Sequence, residues 1–194
     1  MMGVFVIISA ALINNYVLSQ FLGMCPFFGV SKKTETAMGM GLAVLFVMLI
    51  ATIITYPLYR FLLLPFNMAY LQTIVFILVI ASIVQFLEVY MKKAFKKLYS
   101  TLGVYLPLMT TNCAIFGVTL LNTRDDFTFI EAMFNSLGAG IGFTLAIILM
   151  AGLREKYDGD QGIPMAFRGF PLALFAAGLM SIAFLGFQGL VMGR

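Results

Sequence analysis

The segment Cys25-Pro26-Phe27-Phe28-Gly29-Val30 reappears in the second half of the chain as Cys113-Ala114-Ile115-Phe116-Gly117-Val118. Both copies fit the pattern Cys-x-x-Phe-Gly-Val, and Cys25 and Cys113 are the only 2 cysteines among 194 residues. Because chance alone rarely places every cysteine of a chain at the same position of two matching hexapeptides, we interpret each copy as contributing one thiolate to a shared metal centre.

The composition places this centre in a membrane. Hydrophobic residues make up 62% of the chain and charged residues 10%, whereas soluble domains have about 45–50% and about 25%. A soluble chain of this size cannot bury so much apolar surface. With no hydrophilic segment of domain size, we exclude nucleic-acid binding and soluble catalysis, and we attribute the net charge of +4 to basic loops at a membrane surface.

The charged residues leave six apolar windows, each longer than the roughly 20 residues that a helix needs to cross a bilayer. These windows are Met1–Ser31, Thr36–Tyr59, Phe61–Leu87, Leu98–Thr123, Ala132–Leu153 and Gly169–Gly193. Their continuous apolarity excludes a β-barrel, whose strands alternate in polarity, and the first window lacks the basic start of a signal peptide. We therefore predict an all-α integral membrane protein with six transmembrane helices.

The basic residues predict the orientation of the chain. The first, third and fifth loops carry nine of them: Lys32, Lys33, Lys92, Lys93, Lys96, Lys97, Arg154, Lys156 and Arg168. The remaining loops and the C-terminus carry three, Arg60, Arg124 and Arg194. Because cytoplasmic loops are enriched in Lys and Arg, we expect both termini on the outer side of the membrane.

Two of the predicted helices carry residues that interrupt a helix. The first window is too long for one straight crossing and contains Gly23, Pro26 and Gly29, so we expect a break at or near Cys25. The fourth window has Pro107, followed by the polar triplet Thr110-Thr111-Asn112 directly before Cys113. Thr110, Thr111 and Asn112 can bond backbone groups freed at a break, or donate to a metal-bound sulfur.

The two breaks occupy corresponding places in the two halves of the chain. We predict a single membrane domain, residues 1–194, made of repeat one, 1–97, and repeat two, 98–194. Three crossings in each half invert the second repeat relative to the first. Interrupted helices in inverted repeats commonly build a site at the bilayer midplane, where we expect Cys25 and Cys113 to meet, flanked by Gly23, Pro26, Thr111 and Asn112.

The cysteines have alternative explanations. In the first, the two cysteines are small buried hydrophobic residues. In the second, they form a disulfide. Thiolate-bound zinc or iron–sulfur centres want four ligands, and the chain has no histidine. A second subunit, either a copy of this chain or a paralogue with its own pair of cysteines, must then supply the other half. Soft thiolates in an apolar setting favour an iron–sulfur centre, and a [2Fe–2S] cluster shared across a pseudo-symmetric interface satisfies the count.

Beyond the two motifs, longer runs resemble a known family. They are Asn14–Leu18, Phe21–Phe27, Gly29–Lys33, Leu106-Pro107-Leu108, Thr110–Ala114, Pro164, Phe167-Arg168-Gly169 and Ala177–Ser181. Over essentially the whole chain, the sequence is similar to the A subunits of the Rnf electron-transport complex, also called Rsx. It resembles less closely the related D and E subunits of the sodium-translocating NADH:quinone oxidoreductase.

The resemblance implies a six-helix inverted-repeat protein, in the cytoplasmic (inner) membrane of a bacterium or archaeon, that pairs with the homologous E subunit of Rnf in the opposite orientation. It implies that Cys25 and Cys113 join two partner cysteines around an intramembrane [2Fe–2S] cluster. It further implies that the complex couples electron flow between ferredoxin and NAD to sodium or proton translocation. Flavins and other clusters would sit on partner proteins, the B, C, D and G subunits of Rnf.

Two other function classes remain open from the residues themselves. The chain is a small transporter or channel in one, with incidental cysteines and a site lined by Asn15, Thr111 and Asn112. It is an assembly scaffold in the other. Because no charged residue lies inside a predicted span, a charged proton relay within this chain is disfavoured, whereas electron transfer is compatible with the pattern.

Overall fold

A computed structural model describes residues 6–13, 15–66, 69–94, 106–157 and 169–192, and all regular structure in these ranges is helical. The α-helices are α1 (Tyr16–Ser19), α2 (Met24–Val30), α3 (Thr34–Leu58), α4 (Gln72–Ala94), α5 (Leu106–Thr110), α6 (Cys113–Arg124), α7 (Phe129–Tyr157) and α8 (Phe170–Met192). Shorter pieces are the π-helices Ser9–Ile13 and Tyr59–Leu63 and the 3₁₀ turn Ala69–Leu71. The all-helical prediction is confirmed for the described residues.

The long helices coincide with the apolar windows. Within the described ranges, three stretches are long and apolar enough to cross a membrane: Thr34–Leu63, Gln72–Tyr90 and Phe129–Tyr157. The sixth window forms α8, whose apolar part includes Phe170–Gly186. The boundary between the predicted repeats, at residues 97 and 98, lies outside the described residues, as do the end of the Lys92–Lys97 run and residues 158–168 of the fifth loop.

In its described part the first window is divided twice, where the sequence predicted one break near Cys25. The additional break lies at Asn15, whose side-chain oxygen accepts the backbone N–H of Val17 (3.1 Å) and of Leu18 (3.4 Å) and so caps α1. Its Nδ2 donates to the carbonyls of Ala11 (3.2 Å) and Gly142 (3.0 Å). A single buried amide therefore supplies the hydrogen bonds that two helix ends need away from water.

Helices α3 and α7 form the centre of the molecule. Small residues on each helix let the other approach closely. A Cβ added to Gly41 of α3 would lie 2.6 Å from Thr144 Cγ2, and one added to Gly140 of α7 would lie 2.9 Å from Leu45 Cγ. This close approach is expected where packing rather than water exclusion holds helices together, and the shorter helices pack against this pair.

Candidate metal centre at two helix breaks

Each cysteine lies in the first turn of a helix that starts after a break. Cys25 is the second residue of α2, and Cys113 is the first residue of α6. Both thiols are free, with Cys25 exposed on the surface of the chain and Cys113 half-buried. Cys25 is therefore not a buried core residue, and no disulfide joins the pair in this chain.

The two breaks touch each other through Gly23. Its backbone N–H donates to Cys113 Sγ at 2.9 Å. Gly23 has a φ of +83°, a left-handed conformation that glycine adopts without strain. A Cβ at this position would lie 2.9 Å from Phe143 Cε2 and 3.0 Å from Ala114 Cβ. The first break thus fits closely around the start of α6, and only glycine satisfies both the backbone and the space.

Pro26 is buried in the first turn of α2. The first four N–H groups of a helix have no intrahelical acceptor, so the missing N–H of Pro26 costs nothing at this position. Its ring also disfavours extending the helix backward through the preceding turn. The proline therefore helps to set where α2 begins, one residue before Cys25, as its position in the sequence predicted.

Asn112 caps the helix that begins with Cys113. Its Oδ1 accepts the N–H of Ala114 at 3.0 Å, and the side chain is buried. Its Nδ2 is a buried side-chain nitrogen for which the described residues offer no hydrogen-bond acceptor. The neighbouring Thr111 is exposed in the turn between α5 and α6. Nδ2 is therefore an unused donor directly before Cys113.

These residues fit half of a thiolate metal site. The donors are two sulfurs, which suit soft metals and iron–sulfur clusters. Within the described ranges, no group of three or more Cys, Asp or Glu side chains is close enough to hold a metal ion. Because Cys25 is exposed, ligands from outside the chain can reach this sulfur. Two sulfurs with an accessible approach are therefore compatible with a centre whose remaining ligands come from another protein.

Residues 4–191 match the family model described as "Rnf-Nqr subunit, membrane protein". The chain belongs to the Rnf-Nqr family. It is 56% identical, over 98% of both chains, to the A subunit of the Na(+)-translocating ferredoxin:NAD(+) oxidoreductase complex of Acetobacterium woodii. It is 53% and 50% identical, over 97% of each chain, to the A subunits of the ion-translocating oxidoreductase complexes of Alcanivorax borkumensis and Syntrophotalea carbinolica. The predicted resemblance to Rnf A subunits is confirmed.

This Rnf-Nqr chain also contains a buried polar network that no sequence pattern revealed. Tyr16 Oη donates to Asn135 Oδ1 (3.2 Å), and Asn135 Nδ2 donates to Asn122 Oδ1 (2.7 Å). Asn122 Nδ2 donates to Ser136 Oγ (3.1 Å), which lies 2.7 Å from Thr52 Oγ1. Uncharged polar residues scattered along apolar windows give no spacing signal, so only the packing of α1, α3, α6 and α7 reveals the network.

Proposed function

We propose that this chain is the A subunit of an Rnf-type, ion-translocating ferredoxin:NAD oxidoreductase complex. In this role it passes electrons across the membrane through a [2Fe–2S] cluster that it shares with a homologous protein. The observation that carries the proposal is the contact between the two breaks, where the Gly23 N–H meets Cys113 Sγ. The names of relatives that match the chain over nearly its full length support the type of complex.

Cys25 and Cys113 would hold the cluster together with two cysteines of the partner. When bound, the cluster supplies one-electron transfer. The Gly23 N–H orients Cys113 Sγ and donates to it, and hydrogen bonds to ligand sulfurs are among the factors that set the reduction potential of such centres. The exposed Cys25 presents the second sulfur toward the partner.

In this function the chain makes six crossings arranged as inverted repeats, 1–97 and 98–194. Support comes from the first and fourth windows, each of which is interrupted and restarts as a helix at its cysteine or one residue before it. Helices α3 and α7, one in each predicted repeat, pack closely against each other at a glycine of each helix, Gly41 and Gly140. An odd number of crossings per repeat brings the two half-helices to the centre from opposite sides.

A half-site requires a partner, and we assign that role to the homologous E subunit of the Rnf complex. The B, C, D and G subunits would carry flavins, other clusters and the remaining steps of the coupling of electron flow to sodium or proton movement. The nine-to-three distribution of basic residues favours both termini on the outer side of the cytoplasmic membrane.

The test uses the purified complex with Cys25→Ser and Cys113→Ser. We expect each variant to lose one [2Fe–2S] signal from the electron paramagnetic resonance spectrum, together with about two iron atoms per complex. Met24→Leu, which changes the residue next to Cys25 and keeps its sulfur, should retain both. An unchanged signal in both serine variants would overturn the proposal. Solute uptake by this chain alone, unaffected by the same substitutions, would instead favour the transporter hypothesis.

A further inference from the structure

The helix that carries Cys25 depends on contacts outside itself. Helix α2 has 7 residues, and isolated helices shorter than about 12–15 residues are marginal in water. Its first end is held by the contact between Gly23 and Cys113. The position of Cys25 along and around the helix axis therefore depends on what holds the second end.

Arg154 of α7 holds that second end. Its Nη1 donates to the carbonyl oxygen of Phe28 at 2.7 Å and to Ser31 Oγ at 3.1 Å. The Phe28 carbonyl is one of the last four of α2, which have no intrahelical partner. A guanidinium at this end also complements the negative pole of the helix, and bonds from a charged donor are stronger than neutral ones.

The residue after Arg154 binds the other side of the connection between α2 and α3. Glu155 Oε1 accepts the backbone N–H of Thr34, the first residue of α3, at 2.7 Å. Ser31, between the two helices, has an exposed fraction of 0%. The end of α7 thus hydrogen-bonds both sides of the connection between α2 and α3. The packing of α7 against α3 therefore sets where α2 ends.

We infer that Arg154 is a positioning residue for Cys25, an inference that rests on the proposed function. By fixing the far end of α2, Arg154 fixes the placement of the Cys25 sulfur relative to Cys113, and so how tightly the shared cluster is held and at what potential it is reduced. Arg154 then has a structural role in addition to its contribution to the orientation of the chain in the membrane.

The experiment compares Arg154→Gln, Arg154→Lys and the matched control Lys156→Gln in the purified complex. Lys156 is an exposed residue of the last turn of α7, so its substitution also removes one positive charge from this helix end. We expect Arg154→Gln to bind iron about 10-fold less tightly when challenged with a chelator. Its cluster should also have a lower midpoint potential, because the lost positive charge is half-buried and so less screened by water than the exposed charge of Lys156. Arg154→Lys should restore part of both, and Lys156→Gln should match the unsubstituted complex.

The outcomes separate the two proposals. A complex whose [2Fe–2S] signal does not depend on Cys25 and Cys113 overturns the proposed function itself. A complex with that signal, in which Arg154→Gln changes neither chelator resistance nor potential, overturns only the role of Arg154. If the complex with Arg154→Gln does not assemble, Ser31→Ala tests the role of Arg154 instead. This substitution removes one acceptor of the guanidinium and leaves its charge. We then expect a smaller loss of chelator resistance, and no change would refute the role.

Discussion

At the first break a left-handed glycine, Gly23, precedes a helix of 7 residues, whereas at the second Asn112 caps a helix of 12 residues. Cys25 is exposed, and Cys113 is half-buried and accepts a hydrogen bond. The two copies of one hexapeptide therefore place their sulfurs in two different environments. One sulfur is oriented within the chain, and the other is carried outward on a helix held at its ends.

The glycines of the two hexapeptides differ in the same way. A Cβ at Gly29 would meet nothing within 4 Å, whereas one at Gly117 would lie 2.8 Å from Leu22 Cδ1. An identical sequence position thus has a packing role in one copy and none within the described part of this chain in the other. The following substitutions test how far this asymmetry extends.

The largest effect is expected for Gly23→Ala. A side chain at φ +83° is strained, and its Cβ would overlap Phe143 and Ala114, so we expect a loss of about 2–4 kcal/mol of stability. Unfolding of the purified protein in mixed micelles, titrated with sodium dodecyl sulfate, measures it. Gly29→Ala is the matched control and should lose nothing, because alanine is the better helix former. Equal losses in the two variants would contradict the asymmetry.

A smaller effect is expected for Asn112→Ala. It removes the acceptor for the Ala114 N–H, and loss of an N-cap typically costs about 1 kcal/mol. Asn112→Ser keeps a capping oxygen and lacks the unpaired Nδ2, so it should unfold close to the unsubstituted protein in the same titration. If the serine variant is as unstable as the alanine variant, the amide nitrogen has a partner that the capping role does not explain.

The smallest effect is expected for Gly117→Ala. The new methyl group meets only the flexible end of the Leu22 side chain, and the better helix propensity of alanine offsets part of the crowding. We expect a net loss of about 0.5 kcal/mol. In the Leu22→Ala background the same substitution should cause no crowding loss. The double-mutant cycle should therefore give a coupling energy about equal to that loss. If Gly117→Ala is as stable as Gly29→Ala, the two glycines do not differ in packing and the prediction is wrong.

Much of this molecule is predictable because lipid imposes simple rules. Charge-free windows mark the helices, since charged side chains are costly in hydrocarbon, and Gly23, Pro26 and Pro107 mark the interrupted ones. The break at Asn15 was missed. The Asn15 side chain donates there to the Gly142 carbonyl. Because Gly142 lies on another helix, no local sequence pattern marks this break.

The amino-acid sequence by itself determined the helical class, the interrupted segments and the place of each cysteine beside an interruption, because these depend on composition, local chain geometry and a repeated pattern. Only the tertiary structure decided that Gly23 meets Cys113, that Cys25 faces outward and that Arg154 ends the helix carrying Cys25. These contacts join residues far apart in the chain, and their distances depend on how closely α3, α7 and the short helices pack.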